Sequence, residues 1–134
     1  LTGKTGTIQT LIASFGYALA GIGYLLRTQQ NARIHGLIAA CAIALGAFLP
    51  LERWEWLVLL LTCVLVLAAE GMNTAIEAAV DTATSSYHPM ARIAKDVAAG
   101  TVFFCAMASV IIGCMLFLPH LWPVLWPVLK GVFL

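Results

Sequence analysis

Hydrophobic positions along this chain fall into four blocks separated by short polar pieces. In the first block, Ile8, Leu11, Ile12, Phe15, Leu19, Ile22, Leu25 and Leu26 recur at helical spacing, with Thr10, Ser14, Tyr17, Gly21 and Tyr24 largely between them. That alternation predicts an amphipathic helix over about 7–28, lying in a membrane interface. No charge stands between Lys4 and Arg27, so a fourth span is the alternative. The next three blocks are continuous apolar runs of membrane-spanning length. The first covers 34–49 and is closed by Pro50. The second starts near Trp54 and continues through Ala69 into an acidic stretch ending at Asp81. The third covers 97–118 and stops at Pro119. Helices containing the spans are expected over 34–50, 54–81 and 89–118. The remainder, 119–134, repeats WPVL and carries prolines at 119, 123 and 127. Proline at that spacing predicts an irregular, interfacial tail, with tryptophans at the boundary between lipid and water. His120 stands alone in it.

Composition sharpens the picture. Hydrophobic residues make up 62% of the chain and charged residues 10%, against about 25% charged in ordinary soluble domains. The expected class is an all-α integral membrane protein of one domain. A net charge of +1 gives no basis for nucleic-acid binding. The four cysteines, Cys41, Cys63, Cys105 and Cys114, lie inside apolar runs without metal-ligand spacing. Gly3-Lys4-Thr5 looks like the end of a phosphate-binding loop but has neither the earlier glycine nor a preceding strand, and a disordered lead-in is expected there. With three spans, Lys4, Arg27, Arg33, Arg92 and Lys95 share one side and Arg53 and Lys130 the other. The positive-inside rule puts the first group, the N-terminus and the acidic stretch in the cytoplasm.

The acidic stretch, AAEGMNTAIEAAVD at 68–81, carries the candidate chemistry. On a helix with Glu70 at zero, Asn73 falls at about 300°, Glu77 at about 340° and Asp81 at about 20°. One stripe therefore holds three carboxylates and an amide. A carboxylate at mid-membrane costs about 2.5–3.5 kcal/mol, so the stripe should face protein, a wet cleft or a bound cation. Glu70 and Glu77 are about 10 Å apart along the axis, too far to share one metal ion and suited to two jobs in one cleft. Oxygen ligands suit magnesium, which neutralises polyphosphate in phosphoryl transfer. A structural polar seam paired with Arg33, Arg92 or Lys95 remains open beside this. Downstream, in SSYHPMARIAKDVAAG, Pro89 suits a first helical turn with His88 or a serine before it. Lys95 there could hold a phosphate or neutralise Glu77 or Asp81.

Taken together, EGMNTAIEAAVD at 70–81, YHP at 87–89, AKD at 94–96 and NARIH at 31–35 resemble the prokaryotic diacylglycerol kinase family, which includes undecaprenol kinases. The resemblance runs from about Phe15 to about Leu118. It implies a homotrimer in the bacterial inner membrane, each chain supplying an amphipathic surface helix and three spans. It further implies transfer of the γ-phosphate of magnesium-ATP to a membrane lipid. By the same resemblance, Glu70 is the general base and Asn73 its supporting amide. Glu77 binds metal. Tyr17, Ser86, Tyr87, His88, Lys95 and Asp96 contact the nucleotide, and Asp81 assists. The family often has a second metal-binding glutamate where this chain has Gln29, which could ligate through its carbonyl but brings no charge. The wording around Arg33 and His88 looks closer to the branch that contains undecaprenol kinases, which leaves the acceptor lipid open. From a different class, intramembrane carboxylates could also mark a proton- or cation-conducting subunit. Their position at one end of a span beside a lysine favours the kinase reading.

Overall fold

The computed structural model describes residues 3–84 and 86–133; side chains at 3–7, 124, 128, 129, 132 and 133 lie outside the description. Four helices follow one another: α1 (Gly3–Thr28), α2 (Gln30–Phe48), α3 (Arg53–Ala83) and α4 (Pro89–Phe133). All four are long and apolar enough to cross a membrane. The helix already established at Gly3 corrects the expected disordered lead-in.

Breaks in the helices have local causes. At Gln29 the backbone is extended (φ −100°, ψ 115°), which separates α1 from α2. Pro50 has no N–H to donate to a further turn, and α2 ends at Phe48. Helix α3 starts where Glu55 reaches back to accept the Glu52 backbone N–H (2.8 Å), a capping-box contact that satisfies a donor the helix leaves open. His88 caps α4: its Nδ1 accepts the Met90 N–H (3.2 Å), and Pro89 takes the first helical position, where no N–H is needed.

Helix α3 is the hub. It packs along α4 over most of its length and against α2 less extensively, while α1 touches the others only lightly. Buried apolar residues are few: among the described residues they are Ala32 on α2, Leu59 and Val66 on α3, and Ala98, Val102 and Leu116 on α4. Large apolar side chains such as Phe15, Leu61, Phe104 and Ile111 point outward, as they must where the surrounding solvent is lipid. At Gly46, an added Cβ would lie 2.9 Å from Leu51 Cδ1 and 3.3 Å from Leu59 Cδ2. Helices α2 and α3 therefore meet closely at that one point.

Two polar rungs pin the antiparallel register of α3 against α4. Lys95 Nζ donates to Asp81 Oδ1 at one end, and His120 Nε2 donates to Glu55 Oε1 (2.9 Å) at the other. About 25 residues of each helix separate the rungs, roughly 38 Å at 1.5 Å per residue.

Helix α4 contradicts the expected irregular tail. It runs for 45 residues through Pro119, Pro123 and Pro127. Each proline deletes one backbone bond, to the carbonyl four residues earlier. The other bonds of each turn remain, and the helix continues through all three positions. The four-residue spacing also puts all three rings near one face. Trp122 and Trp126 stack beside them (centroids 5.5 Å apart).

Candidate functional site

The stripe on α3 forms as its spacing predicts, with burial graded along it. Glu70 is 2% accessible and Thr74 7%. Asn73 and Glu77 are half-buried and Asp81 is exposed. The gradient covers about 16 Å of helix, from apolar surroundings to water. Asn73 Nδ2 donates to Glu77 Oε1 (3.1 Å), which orients that carboxylate and leaves Asn73 Oδ1 buried with no hydrogen-bond partner. Among the described residues the Glu70 carboxylate also has no hydrogen-bond donor; the fields of His35 and Glu77 reach it. Thr74, one turn on, spends its hydroxyl on the Glu70 backbone carbonyl (3.0 Å).

A buried amide oxygen without a donor is rare in a folded protein and calls for an explanation. A cation or a ligand donor placed there would provide one. The purely structural seam accounts only for part of the stripe. Asp81 is neutralised by Lys95, and Arg92 faces Asp96 on its own helix (3.6 Å). Neither Glu70 nor Glu77 meets a lysine or arginine among the described residues.

The other expected residues surround this stripe to different degrees. Ser86, Tyr87 and His88 form the exposed connection from α3 to α4. Thr84 Oγ1 donates to the Ser86 carbonyl (2.8 Å) there. His88 spends Nδ1 on capping α4, which leaves Nε2 for other work. Gln29, half-buried at the α1–α2 break, makes no side-chain cap to α2. Tyr17 is 77% exposed on α1, and no contact ties it to the stripe. Helix α1 reaches α3 further along, where Ala18, Gly21 and Leu25 line a groove with Gly71, Thr74 and Ala78.

Sequence reasoning gave no role to His35, which shares the α2 face turned toward Glu70. It stands at one end of an apolar cavity of about 160 Å³ between α2, α3 and α4, lined also by Leu59, Cys63, Val66 and Leu116. Its place at the end of NARIH, in the first turns of α2, was the available signal. His120 is corrected more sharply: it is not alone but holds Glu55 across the two helices.

Comparison with known proteins was then informative. A family model described as prokaryotic diacylglycerol kinase matches residues 16–117. The chain is 47% identical over 112 residues to a diacylglycerol kinase of Synechocystis sp., covering 83% of this chain and 64% of that protein. It is 43% identical over 115 residues to an undecaprenol kinase of Bacillus subtilis, covering 85% of this chain and 93% of that one. With a diacylglycerol kinase of Escherichia coli it shares 27% over 120 residues, 90% and 98% of the two chains. The matched region contains every candidate site residue, from Tyr17 to Asp96, and excludes His120 and the proline segment.

Proposed function

The chain belongs to the prokaryotic diacylglycerol kinase family, and we propose that it transfers the γ-phosphate of magnesium-ATP to the hydroxyl of a membrane lipid, either diacylglycerol or undecaprenol. The observation that carries this reading is the unpartnered polar pair at the end of α3, Glu70 without a donor and Asn73 Oδ1 buried and unpaired.

Membrane depth supports the division of labour. Suppose the Glu55–His120 rung marks one boundary of a hydrocarbon layer about 30 Å thick. The other boundary then falls about 20 residues along α3, between Asn73 and Glu77. Glu70 lies just inside the apolar layer, where a lipid hydroxyl arrives. Glu77 and Asp81 lie at or beyond its surface, where a nucleotide arrives.

Glu70 accepts the proton of the lipid hydroxyl, as a base within hydrogen-bond reach of it should. Among the described residues no donor competes for its oxygens. Asn73 holds Glu77 in place and offers its free Oδ1 to the same neighbourhood. Glu77 and Asn73 supply the hard oxygen donors that magnesium prefers, with Gln29 as a further neutral donor. The ion, when bound, neutralises charge on the phosphates. Among the described residues no three acidic, histidine or cysteine groups cluster as a ready-made cage. The remaining ligands would come from phosphates and water, which is magnesium's usual habit. Lys95 exchanges Asp81 for the phosphates, acting as a point charge. Ser86, Tyr87, His88 and Asp96 form the rim on which the nucleotide rests, with Tyr17 closing it from α1. Catalysis by such a site is mostly positioning and electrostatics.

The assembly we infer is a homotrimer in the bacterial inner membrane, with α1 as a surface helix, residues 119–134 at the far interface, and the N-terminus and stripe cytoplasmic. The family match favours a kinase over an ion-conducting subunit. Purified protein in lipid bicelles, supplied with magnesium-ATP and either diacylglycerol or undecaprenol, should phosphorylate at least one of them. Folded protein that phosphorylates neither would overturn the assignment.

A further inference from the structure

The end of the bundle opposite the stripe contains a second set of linked titratable groups, and it has no part in the reaction above. Glu55 is 8% accessible. One carboxylate oxygen accepts the Glu52 backbone N–H (2.8 Å) and the other accepts His120 Nε2 (2.9 Å). His120 follows Pro119 directly. Pro119 and Pro123 leave the carbonyls of Met115 and Pro119 without their helical donors, so the ladder of α4 is weakest on either side of His120. Beyond it, 121–133 extends roughly 20 Å as a single helix, with no polar rung to α3 among its described side chains. The side-chain contact thus falls where the backbone is least able to set the helix direction.

We propose that Glu55 and His120 form a proton-dependent latch over a proline hinge, fixing the angle of the 121–133 arm to the bundle. A neutral imidazole can donate Nε2–H to the carboxylate, but a protonated one makes a charge-assisted bond about twice as strong. The latch therefore tightens when the imidazole gains a proton and slackens when the carboxylate does. Stability contributed by the charged pair fades as rising pH removes the imidazole proton. Few other charges bear on it. Glu52 and Arg53 flank the start of α3, both exposed, and Glu52 is engaged with Trp54 Nε1 (2.8 Å). Helix α2 has no charged residue beyond His35. On α4 the nearest is Lys130, about 15 Å further along. The orientation proposed above decides only which compartment's pH the latch reads.

All four tryptophans, at 54, 56, 122 and 126, lie at this end, so intrinsic fluorescence reports on it without a label. The test uses the full chain in bicelles and needs neither nucleotide nor lipid acceptor, so it stands apart from the kinase assay. Between pH 8 and pH 5 the thermal midpoint of the native protein should rise by about 3 °C relative to His120→Gln, which keeps a neutral donor but cannot titrate. Acrylamide quenching of the tryptophans should be about twofold weaker in the native protein than in His120→Gln at pH 5. Glu55→Gln should remove the same pH response. Adding Pro119→Ala to His120→Gln should restore low quenching, because an unhinged helix holds the arm without a latch. Matching pH profiles in the native protein and His120→Gln, or a response that survives Glu55→Gln, would overturn the latch. Quenching unchanged by Pro119→Ala would overturn the hinge.

Discussion

The two ends of α3 hold similar side chains in opposite conditions. At the start, Glu52 and Glu55 are fully occupied by a backbone N–H, a tryptophan indole and a histidine. At the end, among the described residues, Glu70 has no hydrogen-bond donor, Asn73 Oδ1 is buried without one, and Asp81 alone of the three carboxylates has found a cation. Both ends bury a carboxylate almost completely. Burying a charge without a partner is expensive, so an evolved protein carries such a group where something else is to bind. The satisfied end stabilises the fold; the unsatisfied end is the one we propose as the substrate site.

That contrast can be broken by substitution. The largest effect should come from Glu70→Gln, which should lower turnover by at least about 100-fold while thermal unfolding shows a protein as stable as the native one. Retention of most activity would remove Glu70 from the base role. Glu55→Ala should do the reverse. Loss of its helix cap and its histidine contact should cost about 2 kcal/mol, read as a lower unfolding midpoint, with turnover within about threefold. A collapse in turnover without loss of stability would show that the two ends are not separate. Asn73→Ala frees Glu77 from its one side-chain hydrogen bond among the described residues and should raise the magnesium needed for half-maximal activity about tenfold. The smallest effect is expected from Gln29→Glu, a fewfold reduction in that magnesium requirement; an unchanged titration would place residue 29 outside the metal's reach.

The unsatisfied end was legible because helical periodicity is local geometry. Spacings of three, seven and eleven residues from Glu70 put Asn73, Glu77 and Asp81 on one stripe whatever surrounds them. Pro89 and His88 marked the start of α4 for the same reason. The satisfied end was not legible. Glu55 and His120 are 65 residues apart, and pairing them requires the register of α3 against α4, which apolar runs do not encode. The proline segment misled for a different reason. Each ring here removes one backbone bond and leaves the rest of its turn, so three prolines at four-residue spacing weaken the ladder without ending it. Gln29 shows a third limit: its place at the α1–α2 break is visible, but whether its amide reaches the metal depends on a helix angle that no pattern records.

The central claim is that the free oxygen donors of 70–81 receive a nucleotide-bound cation. Manganese can replace magnesium on ATP and broadens NMR signals of nearby nuclei. The account predicts that manganese-ATP added to isotope-labelled protein in bicelles broadens the Asn73 side-chain amide and the backbone signals of 73–81, and leaves Glu55 and His120 sharp. Sharp signals throughout 70–81 at saturating manganese-ATP, or broadening centred on the Glu55–His120 end, would contradict it.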